Sequence, residues 1–230
     1  MNLKTGKASK STMPAVLDHG FVELLDTFGD DLTVVNAARV SFNKETHEMT
    51  EKDEKLIQYL ANHNHVTPFF HPQVRMRVKM PIFVAREWYR HQIGFARNEV
   101  SRRYVDDLPV CYLPEVVRAR CIKVKQGSQA AGVFENSLAK AMIEDINHRA
   151  TESYQELLDL GVAPEVARTV LPQGMFTEFI ETGSLAAYAR LCKLRLDPSA
   201  QMEIRLYADA VSRLLSDRFP VSWAALCKEE

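Results

Sequence analysis

Residues Gln73 to Met80 alternate without interruption: Val74, Met76, Val78 and Met80 are apolar, and Arg75, Arg77 and Lys79 stand between them. Successive side chains of a strand point to opposite faces, so this period of two predicts a strand with one face in a core. Its basic face is expected to lie in solvent, as one face of an antiparallel sheet commonly does. Pro81 and the apolar run Ile82-Phe83-Val84-Ala85 follow, which predicts a buried helix opened by proline. Beyond that run come Arg86, Glu87, Arg90, His91, Arg97, Asn98, Glu99, Ser101, Arg102, Arg103 and Tyr104, much of them expected in a loop. These five arginines give local positive charge to a chain whose formal net charge is -1. Guanidinium groups suit bidentate recognition of phosphate and carboxylate. The residues alone leave two readings open, a nucleotide-phosphate or other polyanion site and a structural ion-pair network.

At 46% hydrophobic residues, the 230-residue chain can bury a sizeable core, in one large domain or two small ones. Its near-neutral charge argues against general nucleic-acid binding. Cys111, Cys121, Cys192 and Cys227 are scattered, form no C-x-x-C pair and read as reduced thiols of a cytosolic protein. Residues 1–13 are polar and predict a disordered tail instead of a signal peptide; no apolar run reaches membrane-spanning length. A soluble, cytoplasmic protein is expected.

Ala15 to Gly29 predicts two short extended pieces about a turn, and Asp30 or Asp31 caps a helix ending near Ser41. Thr50 opens a helix to about Asn62. His63, His65 and His71 carry no acidic companion and match no zinc spacing, so no metal is expected. Asp106 to Lys125 reads as irregular, with Pro109 and Pro114. A long helix is expected from about Ser128 to Leu160, ended by Gly161 and interrupted near Asn147-His148, with Leu138, Met142, Ile146 and Tyr154 in its apolar stripe. Pro164 starts a helix closed by Pro172, Met175 to Thr182 reads as a short strand, Ser184 caps a helix to Leu194, and a last helix runs from Pro198 to about Phe219.

The run Arg90-His91-…-Asn98-Glu99-Val100-Ser101-Arg102-Arg103-Tyr104 resembles the signature of flavin-dependent thymidylate synthases, written Arg-His-Arg-x-x-Ser-x-Asn-Glu-x-Ser-x-Arg. Gln92 stands at its second arginine, and six residues instead of five separate His91 from Asn98. Ala38-Arg39-Val40-Ser41, His65-x-Thr67-Pro68-Phe69, Pro164-Glu-Val-Ala-Arg168-x-Val-Leu-Pro172 and Ala200-Gln201-x-Glu203-Ile204 also resemble family segments, in family order. The resemblance implies an α+β fold, a central antiparallel or mixed sheet flanked by long helices, in a single catalytic domain over residues 14–230. It implies reductive methylation of dUMP to dTMP, with methylenetetrahydrofolate as carbon donor, FAD as hydride relay and NADPH as reductant, in a homotetramer with shared active sites and without nucleic-acid or membrane partners. By the same resemblance Arg195 is catalytic, opposite N3 and O2 of the uracil. Glu87, Arg90, Glu99, Ser101, Arg102, Arg103, Arg168 and Arg195 bind dUMP. Ser41, His65, Thr67, Arg90, His91, Gln92, Glu99, Ser184 and Arg190 face FAD, Arg190 replacing a guanidinium that relatives carry elsewhere. A catalytically silent flavin- or nucleotide-binding relative is the alternative.

Overall fold

The computed structural model describes residues 13–105, 107–122 and 127–228, so the expected tail lies outside the described residues except for Met13. The fold is α+β. The alternating stretch forms β3 (Gln73–Pro81), with Val74, Met76, Val78 and Met80 fully buried. On one side it pairs with β2 (Gly20–Phe28), which itself pairs with the two-residue β1 (Ala15–Val16). On the other it pairs along its whole length with β7 (Phe176–Ser184), and β7 pairs with β4 (Phe95–Glu99). The order is β1-β2-β3-β7-β4, antiparallel throughout. The basic face of β3 is not merely wet, because Arg77 Nε lies 2.5 Å from Glu178 Oε1 and Arg75 3.5 Å from Asp26. These half-exposed pairs add little stability but match charges across strands.

Helices cover the other face. In α1 (Asp31–Arg39) Asp30 is the N-cap and bonds reciprocally with Thr33; α2 (Glu51–Asn62) has the same arrangement between Thr50 and Asp53. Arg39 reaches the buried Asp53 at 2.5 Å and ties the two helices together. Proline opens α3 (Ile82–Trp88) as its N-cap, and α6 (Leu185–Arg195) starts at Ser184, whose Oγ accepts from Ala187 N–H at 3.2 Å. The last two helices, α7 (Met202–Arg218) and α8 (Pro220–Leu226), close the core with Tyr207, Val211, Leu215, Phe219 and Trp223.

Several expected boundaries move. The arginine segment is not all loop, since Phe95–Glu99 is a sheet strand. The irregular stretch holds β5 (Arg118–Arg120), paired with β6 (Ser128–Gly132). The long helix therefore begins only at Asn136; α4 (Asn136–Asp159) then runs unbroken for 24 residues. Beyond it, α5 (Pro164–Ala167) is one turn followed by a 3-10 turn, Arg168–Val170. β7 is a nine-residue interior strand, and α7 starts at Met202, not Pro198.

One buried ion pair joins the edge strand to this core. Glu181 of β7, 0% exposed, faces Met76 on one side and Arg97 on the other. Arg97 Nε donates to Glu181 Oε2, and the Trp88 indole N–H lies 3.2 Å from Oε1. Burial pushes the Glu181 carboxyl above the usual carboxylate range, while Arg97 and Trp88 oppose that shift. Removing one charge leaves the other buried and unpaired. Glu181→Leu is expected to lose about 3–5 kcal/mol in urea unfolding, and Arg97→Met with Glu181→Leu to regain most of it. A double variant no more stable than the single one would show that the pair itself is not what matters.

Candidate active site

The strand β4 ends at Glu99, and Val100 N–H donates to the Glu178 carbonyl at 2.8 Å, which fixes where the chain leaves the sheet. A turn follows, closed by Tyr104 N–H to the Ser101 carbonyl at 3.0 Å. It brings Glu99, Ser101 and Arg102 against Arg168, which follows α5 directly, around a cavity of about 300 Å³. Ile82, Leu171 and Phe176 form its apolar wall, and Thr177 lies beside Glu99. The second segment is held by buried Ala167 and by Arg103 Nε, 3.3 Å from Glu165 Oε2. Arg102 donates to the Asp107 carbonyl. Arg168 is exposed and makes no ion pair among the described residues. An aliphatic wall facing convergent guanidinium, hydroxyl and backbone groups suits an anion attached to a flat or apolar body.

A second polar group gathers around the end of α6. Arg195 Nε donates to His91 Nε2 at 2.9 Å, a terminal nitrogen of Arg195 donates to the Glu87 carbonyl at 3.3 Å, and the other lies 3.7 Å from Glu87 Oε2. An imidazole accepting at Nε2 is neutral and carries its proton on Nδ1. The charges agree with that tautomer. Burial, and then Arg195, Arg97, Arg190 and Arg90, lower the His91 pKa from 6.5 to about 4. Arg190 donates to the Ile93 carbonyl at 2.6 Å and fastens the turn ahead of β4, where Gly94 has φ 84°. Only glycine adopts that conformation without strain. A Cβ there would also lie 3.0 Å from Ala187 Cβ. From Phe95 onward β4 pairs with β7 with no register shift, so the signature's additional residue puts no bulge in the strand.

Residues 23–221 match the family model described as thymidylate synthase complementing protein. The chain belongs to that family. It is 43% identical over 214 residues to the flavin-dependent thymidylate synthase of Thermus thermophilus, covering 93% of this chain and 77% of that one. To the enzyme of the same description from Thermotoga neapolitana it is 41% identical over 216 residues, covering 93% of each. Among solved structures, the UMP/dUMP methylase PolB from Streptomyces cacaoi bound with 5-Br dUMP superposes with a TM-score of 0.82 at 29% identity, over 91% of this chain and 95% of that one.

Within this member of the thymidylate synthase complementing protein family, the residues singled out in the sequence fall into three places. Glu99, Ser101, Arg102 and Arg168 line the cavity, with Arg103 bonded to its rim. Glu87, His91 and Arg195 form the second group, with Arg190 bonded nearby. Arg90, Gln92, Ser41, His65 and Thr67 are exposed, and no contact in the chain consumes the Arg90 or Gln92 head group among the described residues. Ser184 is 3% exposed, and its hydroxyl caps α6. Sequence reasoning missed Thr177, which lines the cavity and whose hydroxyl donates to Glu99 Oε1 at 2.6 Å. Nothing in its local sequence marks it; strand register puts it there.

His91 supplies a direct check. Its ring proton resonance, assigned by its disappearance in His91→Gln, is expected to titrate with a midpoint near 4, and Arg195→Met to move that midpoint upward. A midpoint near 6.5 would mean that the ring does not accept from Arg195.

Proposed function

We propose that this protein makes dTMP from dUMP by reductive methylation, as a flavin-dependent thymidylate synthase. The observation that carries the proposal is the meeting of Glu99-Val100-Ser101-Arg102-Arg103 with Arg168, more than sixty residues later, around one cavity in a chain of this family. The phosphate of dUMP takes Arg168 and Arg103, with the Ser101 hydroxyl and adjoining backbone N–H groups as neutral donors. Arg90 and Glu99 orient the sugar and base. Arg195 is held by Glu87 and His91 in a fixed direction, and a fixed guanidinium stabilises negative charge building at N3 and O2 of a uracil ring.

The residues around the turn ahead of β4 fit a flavin dinucleotide. Exposed Arg90 and Arg190 can meet its pyrophosphate, Gln92 and the Nδ1–H of neutral His91 can donate to polar ring atoms, and Ser41, His65 and Thr67 offer further polar groups. When bound, FAD supplies the hydride, renewed from NADPH, while methylenetetrahydrofolate supplies the carbon. Ser184 contributes its backbone and the placement of α6, since its hydroxyl is already engaged.

The two polar groups lie toward opposite ends of β4, whose five residues span roughly 14 Å from first to last. We infer that a site is completed between copies of the chain in a homotetramer, the cavity of one subunit presenting its nucleotide to Arg195 of another. The exposed Leu138, Met142 and Ile146, one turn apart along α4, supply an apolar face for such assembly.

The test is the visible spectrum of the purified protein and dTMP formation from dUMP, methylenetetrahydrofolate and NADPH. The expected outcome is a bound oxidised flavin that bleaches faster on anaerobic NADPH addition when dUMP is present, and product formation that Arg195→Glu abolishes. Flavin binding without dTMP would instead identify a silent relative. Arg168→Ala is expected to raise the KM for dUMP by at least about tenfold, the loss of one charge-assisted phosphate contact.

A further inference from the structure

Tyr89 follows α3 directly, and its ring is clamped. It packs edge-on against Phe179, with ring centroids 5.1 Å apart, and Arg97 stacks over it with its guanidinium carbon 5.4 Å from the centroid. Both contacts are set by the sheet. Phe179 is the cross-strand partner of Glu99, and Arg97 sits two residues before Glu99 on the same face of β4. The hydroxyl is therefore delivered toward Glu99. It is buried from solvent and makes no hydrogen bond among the described residues; burial, and after it the negative charge of Glu99, push the phenol well above its ordinary range. On the other side of that carboxylate Thr177, 4% exposed, donates to Oε1 at 2.6 Å. A buried hydroxyl left without a partner is costly, so a short adjustment of Glu99 that satisfies it is favoured.

We propose that Tyr89 is a positioning residue of the nucleotide cavity: its hydroxyl donates to Glu99 and, opposite Thr177, locks that carboxylate in the orientation that meets the nucleotide. The proposal rests on the dUMP reading given above. Glu99 belongs to an edge strand and is exposed, so without a second donor its carboxylate swings freely about one hydrogen bond. With two donors it is fixed, and its remaining lone pairs face the cavity, where Ser101, Arg102 and Arg168 stand. Tyr89 touches neither substrate nor cofactor in this scheme. It carries the rigidity of the Glu181–Arg97 pair to the binding site through its ring.

Tyr89→Phe keeps the clamped ring and removes only the hydroxyl, whose one proposed partner is the exposed Glu99 carboxylate, so the variant is expected to fold with its melting temperature only slightly lowered. Calorimetric titration of the full-length protein with dUMP is expected to show binding weakened about tenfold, the loss of one hydrogen bond to a charged group, with KM for dUMP rising in step and kcat within about twofold. In a Glu99→Ala background, which leaves the Tyr89 hydroxyl no side-chain acceptor at position 99, the same change is expected to have no further effect, because Tyr89 acts through Glu99. Unchanged dUMP affinity in Tyr89→Phe, or an equal loss in the Glu99→Ala background, overturns the positioning role and leaves the synthase reading standing. A wild-type protein that binds no dUMP overturns both.

Discussion

The Glu181–Arg97 pair is the constraint on which the rest depends. A buried ion pair contributes little net stability, because both ions lose their water. What it specifies here is register. A shift of β4 by one residue would carry Arg97 to the opposite face and leave Glu181 without its cation, at a cost no other pairing recovers. Three elements close on that carboxylate: β7 carries it, β4 brings Arg97, and α3 brings Trp88. The position at which the chain leaves the sheet after Glu99, and with it the cavity floor, follows from this one alignment. The edge strand is short and half exposed, so apolar burial alone would hold it weakly.

Around that fixed frame the charges are divided by location. The five arginines between Arg86 and Arg103 lie within two turns of helix, a turn and a strand, yet they serve different ends. Arg97 is neutralised in the core, Arg102 and Arg103 go to the cavity and its rim, and Arg86 and Arg90 remain in solvent. Arg195 arrives from α6 and donates to His91, which burial and the surrounding arginines hold neutral, so the imidazole offers an N–H without adding charge. A chain with a formal charge of -1 thus presents locally positive surfaces, which attract anionic nucleotides without the broad basic field that nucleic-acid binding uses.

Much of the frame is legible in the sequence where the signal is local. Strict alternation marks β3, and reciprocal capping marks α1 and α2, because each pattern is decided within about eight residues. The segment that becomes β4, Phe-Ala-Arg-Asn-Glu, shows no such pattern. It places an arginine and a glutamate on the face that looks toward the core, where the Glu181 carboxylate and the Thr177 hydroxyl receive them. Those partners come from elsewhere in the chain. The β5–β6 hairpin is likewise short and polar, and the prolines around it mask its pairing. Of the site, the cavity residues were legible through their resemblance to family segments; the hydroxyls that orient them were not, since their neighbours in sequence say nothing of their neighbours in space.

The topology shows why such partners stay hidden. β3 and β4 are joined by a single short helix, and yet they are not neighbours; α3 spans a gap that β7 fills about eighty residues later. Until β7 is in place, Arg97 has no anion, Glu99 has no hydroxyl and Tyr89 has no Phe179 to rest on. The cavity lined by Glu99 and Arg168 is therefore assembled by the same strand insertion that completes the sheet. Its polar groups acquire their directions only when the most distant contact in the sheet has formed. That coupling accounts for a signature in which Arg97 can stand between His91 and Asn98 without disturbing Glu99 and Ser101: β7 sets the register from Phe95 onward, and the turn at Gln92–Gly94 absorbs what precedes it.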